Sequence, residues 1–157
     1  MAAAFGGLLT SCTPDTTGGA DIGGPYRTWR TYSGGAHASQ YSALDQINRT
    51  NVAELKVVRT FPAGEGTFVF NPIVVDGVMY VLARDNAIIA LDAETGRELW
   101  AHPHEGPVTA RGINHWQSAD GSDRRLLYLN AGFLTALDAQ TGQTVASFGD
   151  NGRVDLR

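Results

Sequence analysis

Ala90-Leu91-Asp92-Ala93-Glu94-Thr95-Gly96 and Ala136-Leu137-Asp138-Ala139-Gln140-Thr141-Gly142 agree at six of seven positions, 46 residues apart. Each copy completes an apolar run of strand length, Ala87-Ile88-Ile89-Ala90-Leu91 and Phe133-Leu134-Thr135-Ala136-Leu137. The Asp carboxylate can accept backbone N–H bonds, and the Gly can take a left-handed φ. The chemistry of a tight corner is therefore contained in the motif. A period of ~40–50 residues, each unit holding four short strands, marks the blades of a β-propeller. One such sheet has two faces to bury, and stacking on neighbours buries both. Two unrelated hairpins with similar turns are the plain alternative, and six identities in one strand context argue against it.

Outward from the first corner, further strand-length runs appear. Val57-Val58-Arg59-Thr60-Phe61, Asn71-Pro72-Ile73-Val74-Val75 and Val78-Met79-Tyr80-Val81-Leu82 are apolar and β-branched. Asp76-Gly77 separates the last two, the signal of a type I′ hairpin with positive φ at both turn residues. Arg84-Asp85-Asn86 makes the next turn. Ile73 to Trp100 thus reads as a four-stranded antiparallel meander. Trp100 ends it, where a large ring packs between adjacent sheets; Ala146 stands at the matching place in the second unit. In that unit Arg125-Leu126-Leu127-Tyr128-Leu129 reads as a strand and Asn130-Ala131-Gly132 as a turn. Upstream, Asn48 to Leu55 reads as one helical turn capped by Thr50 or Asn51, with Glu54 in its first turn.

The 157 residues suggest one domain. A hydrophobic content of 43% with 18% charged residues builds a core and excludes full-length disorder. Lys and Arg number 12 against 16 Asp and Glu, a net charge of −4, so no basic footprint for nucleic acid exists. No apolar stretch approaches the ~18–20 residues of a membrane span. A single cysteine, Cys12, excludes an intramolecular disulfide and a Cys-rich zinc site.

Residues 1–25 read as a separate region, and residues 26–157 as the sheet domain. Met1 to Cys12 is small and apolar, and a Gly-rich polar tether follows. Leu9-Thr10-Ser11-Cys12 resembles the lipobox of bacterial lipoproteins, which implies a lipidated Cys12 and a membrane anchor. No Lys or Arg precedes Arg27, unlike a secretory leader. A frayed N-terminus with an incidental thiol is the alternative.

Four segments, in order, carry a further resemblance. They are Tyr41-Ser42-Ala43-Leu44-Asp45-Gln46-Ile47-Asn48, Asn71 to Val81, Ala90 to Trp100, and Phe148-Gly149-Asp150-Asn151-Gly152-Arg153-Val154-Asp155-Leu156. From Trp29 to Arg157 the chain resembles the N-terminal part of the pyrroloquinoline-quinone (PQQ) dependent glucose and alcohol dehydrogenases. The resemblance implies an all-β fold: two to three four-stranded antiparallel blades of an eight-bladed propeller, hence a fragment. It also implies PQQ near the propeller axis beside calcium, a sugar or alcohol substrate, and a membrane quinone or cytochrome as electron acceptor, all in the periplasm. Thr109-Ala110-Arg111-Gly112-Ile113-Asn114-His115-Trp116 is similar to the family segment whose arginine reaches PQQ, which makes Arg111 the cofactor-binding candidate. A fixed guanidinium suits a tricarboxylate quinone; a salt-bridged strand arginine is the alternative. Trp116 is expected to pack rather than react.

The chain departs from the family pattern at Val69, where many relatives place a cofactor-contacting Glu, and at Thr109 and Ala110, where some carry adjacent cysteines. No residue matches the family's catalytic aspartate or its calcium ligands, so no turnover is expected of these residues alone. A non-catalytic propeller that scaffolds partners at the cell envelope is the second reading. His102-Pro103-His104 has a metal-gripping spacing but reads as a solvated loop. His115 reads as a hydrogen-bonded strand residue, and Asp120-Gly121-Ser122-Asp123 as a charged turn.

Overall fold

The computed structural model describes residues 26–35, 37–64, 71–108 and 112–157. Two four-stranded antiparallel sheets follow one another along the chain. The first holds β1 (Ile73–Val75), β2 (Val78–Ala83), β3 (Ala87–Asp92) and β4 (Glu98–His102); the second holds β5 (Asn114–Gln117), β6 (Arg124–Asn130), β7 (Phe133–Asp138) and β8 (Arg153–Asp155). Each sheet runs in sequence order. Ala90 opposes Tyr80 in the first sheet, and Ala136 opposes Leu127 in the second.

The two corners are built alike. Asp92 Oδ1 accepts the Thr95 amide at 2.6 Å and its hydroxyl at 2.7 Å. Asp138 Oδ1 accepts the same groups of Thr141 at 2.7 and 2.8 Å. Gly96 and Gly142 donate back to the Asp carbonyls at 2.8 and 2.9 Å, with φ of 69° and 71°. Every one of these bonds lies within the motif, which is why the corner is readable locally. The Asp76-Gly77 turn has φ of 49° and 79°, the positive pair that the hairpin demands.

The core lies between the sheets. Ile73, Ile88, Ile113, Leu126 and Leu137 are fully buried there, joined by Tyr80 and Tyr128. Each such aliphatic side chain contributes roughly 1.5–3 kcal/mol relative to exposure. Trp100 seals the seam: its indole lies over Gly142, where a Cβ would come within 2.5 Å of the ring. A second cluster, Ala83, Ala87, Ile89 and Leu91, covers the far face of the first sheet under Phe61 and Ala63. On that flank the aliphatic stem of Arg59 lies against Gly96, 3.2 Å from its missing Cβ, and its guanidinium donates to the Glu94 carbonyl.

Two expectations change. Val57 to Phe61 forms no strand; Val57 and Val58 are 85% and 82% exposed. β-Branched residues favour a pleated surface only where an edge is there to pair with. The helical turn is a short 3₁₀ segment, Val52–Glu54, and the Asn51 side chain makes no cap bond. Instead it ties the preceding loop, accepting from the Asn48 amide at 2.8 Å.

Candidate functional site

Antiparallel pairing puts the start of β1 and β5 at one end of the sheets, together with the turns 84–86 and 131–132. The connector from β4 to β5 runs across this end. Asn130 Nδ2 donates to three successive connector carbonyls, those of Glu105 at 3.0 Å, Pro107 at 3.3 Å and Gly106 at 3.4 Å. From the first sheet, Asn86 Nδ2 donates to the Gly106 carbonyl. The Ala131 amide adds a bond to the Pro107 carbonyl at 3.2 Å. The connector is therefore clasped by both sheets at once. It reaches β5 through Gly112, whose φ is 88°. A Cβ there would meet Tyr32 Cδ2 at 3.3 Å and the Asn71 carbonyl at 3.4 Å. A glycine is needed at this point for both the backbone angle and the close approach.

Arg111 directly precedes Gly112 in the chain but lies outside the described residues, as do Cys12, Val69, Thr109 and Ala110. The described surroundings of Gly112 are the Tyr32 ring and the backbone carbonyl of Asn71.

The opposite end holds the corners and an ion cluster. Asp76 is shared by Arg30 and by Arg124, the latter at 3.4 Å. His115, half-buried on β5, has its pKa lowered by burial and next by the Arg30 guanidinium. This cluster lies away from the connector and joins the first hairpin turn to the second sheet. Trp116 packs less than expected: it is 45% exposed, with the Arg125 guanidinium 5.4 Å from its ring centre. The His102-Pro103-His104 loop is not solvated as expected, since both imidazoles are half-buried and their pKa values are lowered by burial. That burial depends on the second sheet packing against β4 and left no local sign. The asparagine clasp was equally hidden, because an Asn in a turn reads as turn chemistry. Asp120 takes a charged-turn role; its carboxylate, bonded by the Ser118 and Ser122 hydroxyls, titrates at about 2.

Residues 29–157 match the sequence model of the "Glucose/ethanol/alcohol dehydrogenase, beta-propeller domain" family, labelled PQQ, and the chain belongs to that family. It is 30% identical over 162 residues to the quinoprotein glucose dehydrogenase of Gluconobacter oxydans, covering 85% of this chain and 20% of that protein. It is 37% identical over 132 residues to the dehydrogenase subunit of the quinone alcohol dehydrogenase of Komagataeibacter europaeus, covering 76% and 17%. Its fold superimposes on the crystal structure of the quinohemoprotein alcohol dehydrogenase of Comamonas testosteroni with a TM-score of 0.66 at 27% identity, covering 85% and 20%. The chain spans about a fifth of the length of these relatives.

Proposed function

We propose that the chain supplies the first two blades of a periplasmic PQQ-dependent dehydrogenase, which oxidises an alcohol or a sugar and passes electrons to a membrane quinone or a cytochrome. The observation that carries this reading is the connector clasped by Asn86 and Asn130, which leads into Gly112 beside Tyr32 and Asn71. A segment held from two sheets is a rigid support for a cofactor-binding side chain. Arg111 is assigned the cofactor contact, its guanidinium pairing with PQQ carboxylate or quinone oxygens. PQQ, when bound, supplies the two-electron acceptor for the alcohol carbon. This chain's part is to bind and orient it. The base that removes the alcohol proton and the calcium ligands are assigned to blades beyond these two, so these residues alone give no turnover. Cys12 is assigned the lipid anchor.

The test takes the longest natural product containing this chain, loads it with PQQ and Ca²⁺, and follows dye reduction with alcohols and sugars. Reduction with at least one substrate is expected; none with any would overturn the enzyme reading. PQQ affinity is measured separately. Arg111→Ala is expected to weaken it at least tenfold, and an unchanged affinity removes Arg111 from the site.

A further inference from the structure

We propose that the flank of the first sheet holds a binding site for a small planar aromatic molecule with an N–H donor, of the indole class. The inference stands apart from the dehydrogenase reading and rests on the chain's internal repeat. The corners at Asp92 to Gly96 and Asp138 to Gly142 share more than their Asp and Thr bonds. The Asp92 and Asp138 amides donate to the Arg97 and Gln143 carbonyls, each at 2.8 Å. The Ala93 and Ala139 amides donate to the Gly77 and Arg124 carbonyls at 2.8 and 2.9 Å. Ala93 and Ala139 therefore hold the same place in the same backbone frame.

What covers the two corners differs. At the second, the Trp100 indole lies on Gly142 and donates to the Ala139 carbonyl at 3.3 Å, leaving Ala139 only 2% exposed and Gly142 buried. At the first, the cover is the stem of Arg59, whose guanidinium donates to the Glu94 carbonyl. Ala93 stays exposed and Gly96 half-buried, and among the described residues none donates to the Ala93 carbonyl. A methylene stem is narrower than a fused ring pair. Beside it lies a cavity of about 460 Å³, within the roughly 300–1,000 Å³ of small-molecule sites. Phe61, Met79 and Leu91 give it an apolar lining, which Arg59, Ala93 and Gly96 complete. A flat apolar ring gains by leaving water for that lining. The Met79 thioether suits an aromatic edge, and the Arg59 guanidinium suits a ring face. A ring N–H finds in the Ala93 carbonyl the acceptor that Trp100 finds in Ala139.

The experiment titrates indole into the 157-residue chain and follows methyl NMR signals and the thermal unfolding midpoint together. One indole per chain is expected, with shifts centred on Met79 and Leu91 rather than on Leu126 and Leu137 between the sheets. The midpoint is expected to rise, because the folded state binds preferentially. Benzofuran, which has the same shape with an oxygen in place of the N–H, is expected to bind at least threefold more weakly. Arg59→Trp, which supplies an attached indole, is expected to raise the midpoint without ligand and to weaken indole binding at least tenfold. An unmoved midpoint on adding indole, shifts centred between the sheets, equal affinity for benzofuran, or undiminished binding to the Arg59→Trp chain would overturn the site. Should that variant fail to fold, the map of shifted signals and the benzofuran comparison decide alone.

Discussion

The indole N–H of Trp100 donates to the carbonyl of Ala139 at 3.3 Å, and the Tyr80 hydroxyl reaches the same oxygen at 3.1 Å. Two side chains of the first sheet thus converge on one backbone atom of the second sheet's corner. Trp100→Ala is expected to cost about 3–5 kcal/mol, as for other buried aromatic truncations. Trp100→Phe keeps most of the contact and loses one hydrogen bond of about 1 kcal/mol. Urea unfolding of the two variants measures the gap; equal losses would mean that the indole does not seal the seam.

Glycine substitutions separate backbone strain from packing. Gly77 (φ 79°) has nothing near its missing Cβ, whereas Gly142 (φ 71°) faces the Trp100 ring. Gly77→Ala is expected to cost about 1–2 kcal/mol for the left-handed conformation alone. Gly142→Ala must add displacement of the indole and is expected to cost clearly more, with a red shift of tryptophan emission. Calorimetry with fluorescence checks the ranking.

Asn130→Ala removes the side chain that bonds three connector carbonyls. The amides of Val108 and Ala131 are expected to exchange at least tenfold faster, while those of Leu91 and Leu137 keep their protection. Hydrogen exchange resolved by residue measures this. Uniform change across the chain would show global loosening instead.

Acid is expected to destabilise the fold below about pH 6.5. His102, His104 and His115 all have pKa values lowered by burial, so the unfolded chain binds protons more readily. Stability from these groups is complete above the unfolded pKa of ~6.5 and is lost as the pH falls through the folded values. Asp120 and Asp155, each titrating at about 2 through hydroxyl or Arg157 partners, add losses below pH ~4 in the same direction. Chemical denaturation between pH 8 and 3 follows both. At the alkaline end Tyr80 and Tyr128, pushed up to about 12 mainly by burial, oppose unfolding until the pH passes ~10.

The Asp76 cluster is expected to matter little at high salt. Asp76→Asn keeps a residue that tolerates a left-handed φ and removes the charge facing Arg30 and Arg124. Their side chains are part-exposed, at 26% and 35%. A loss of up to about 1 kcal/mol in dilute buffer is expected, shrinking in 1 M salt. Denaturation at two ionic strengths tests it.

What could be read from residues alone follows the range of the forces involved. Asp92 and Asp138 bond within their own motifs, so both corners were legible, as were the hairpin at Asp76-Gly77 and the docking of Trp100. Val57 and Val58 carry a strand's residue types, yet a strand also needs an edge to pair with, which no local pattern reports. The burial of His104 and the reach of Asn130 across the connector arise from packing of one sheet on another. Arg111 and Cys12 came from resemblance, and both lie outside the described residues.

The joint at Gly142 has a polarity. Trp100 is the plug and the glycine of the following corner is the socket, so the two partners sit on opposite flanks of a sheet. Gly96, the other socket, is stoppered by Arg59, and the second sheet offers the exposed Ala146 where a plug would stand. A contact of this kind is heterologous: it adds in one rotational sense and cannot mate with its own mirror placement in a twofold dimer.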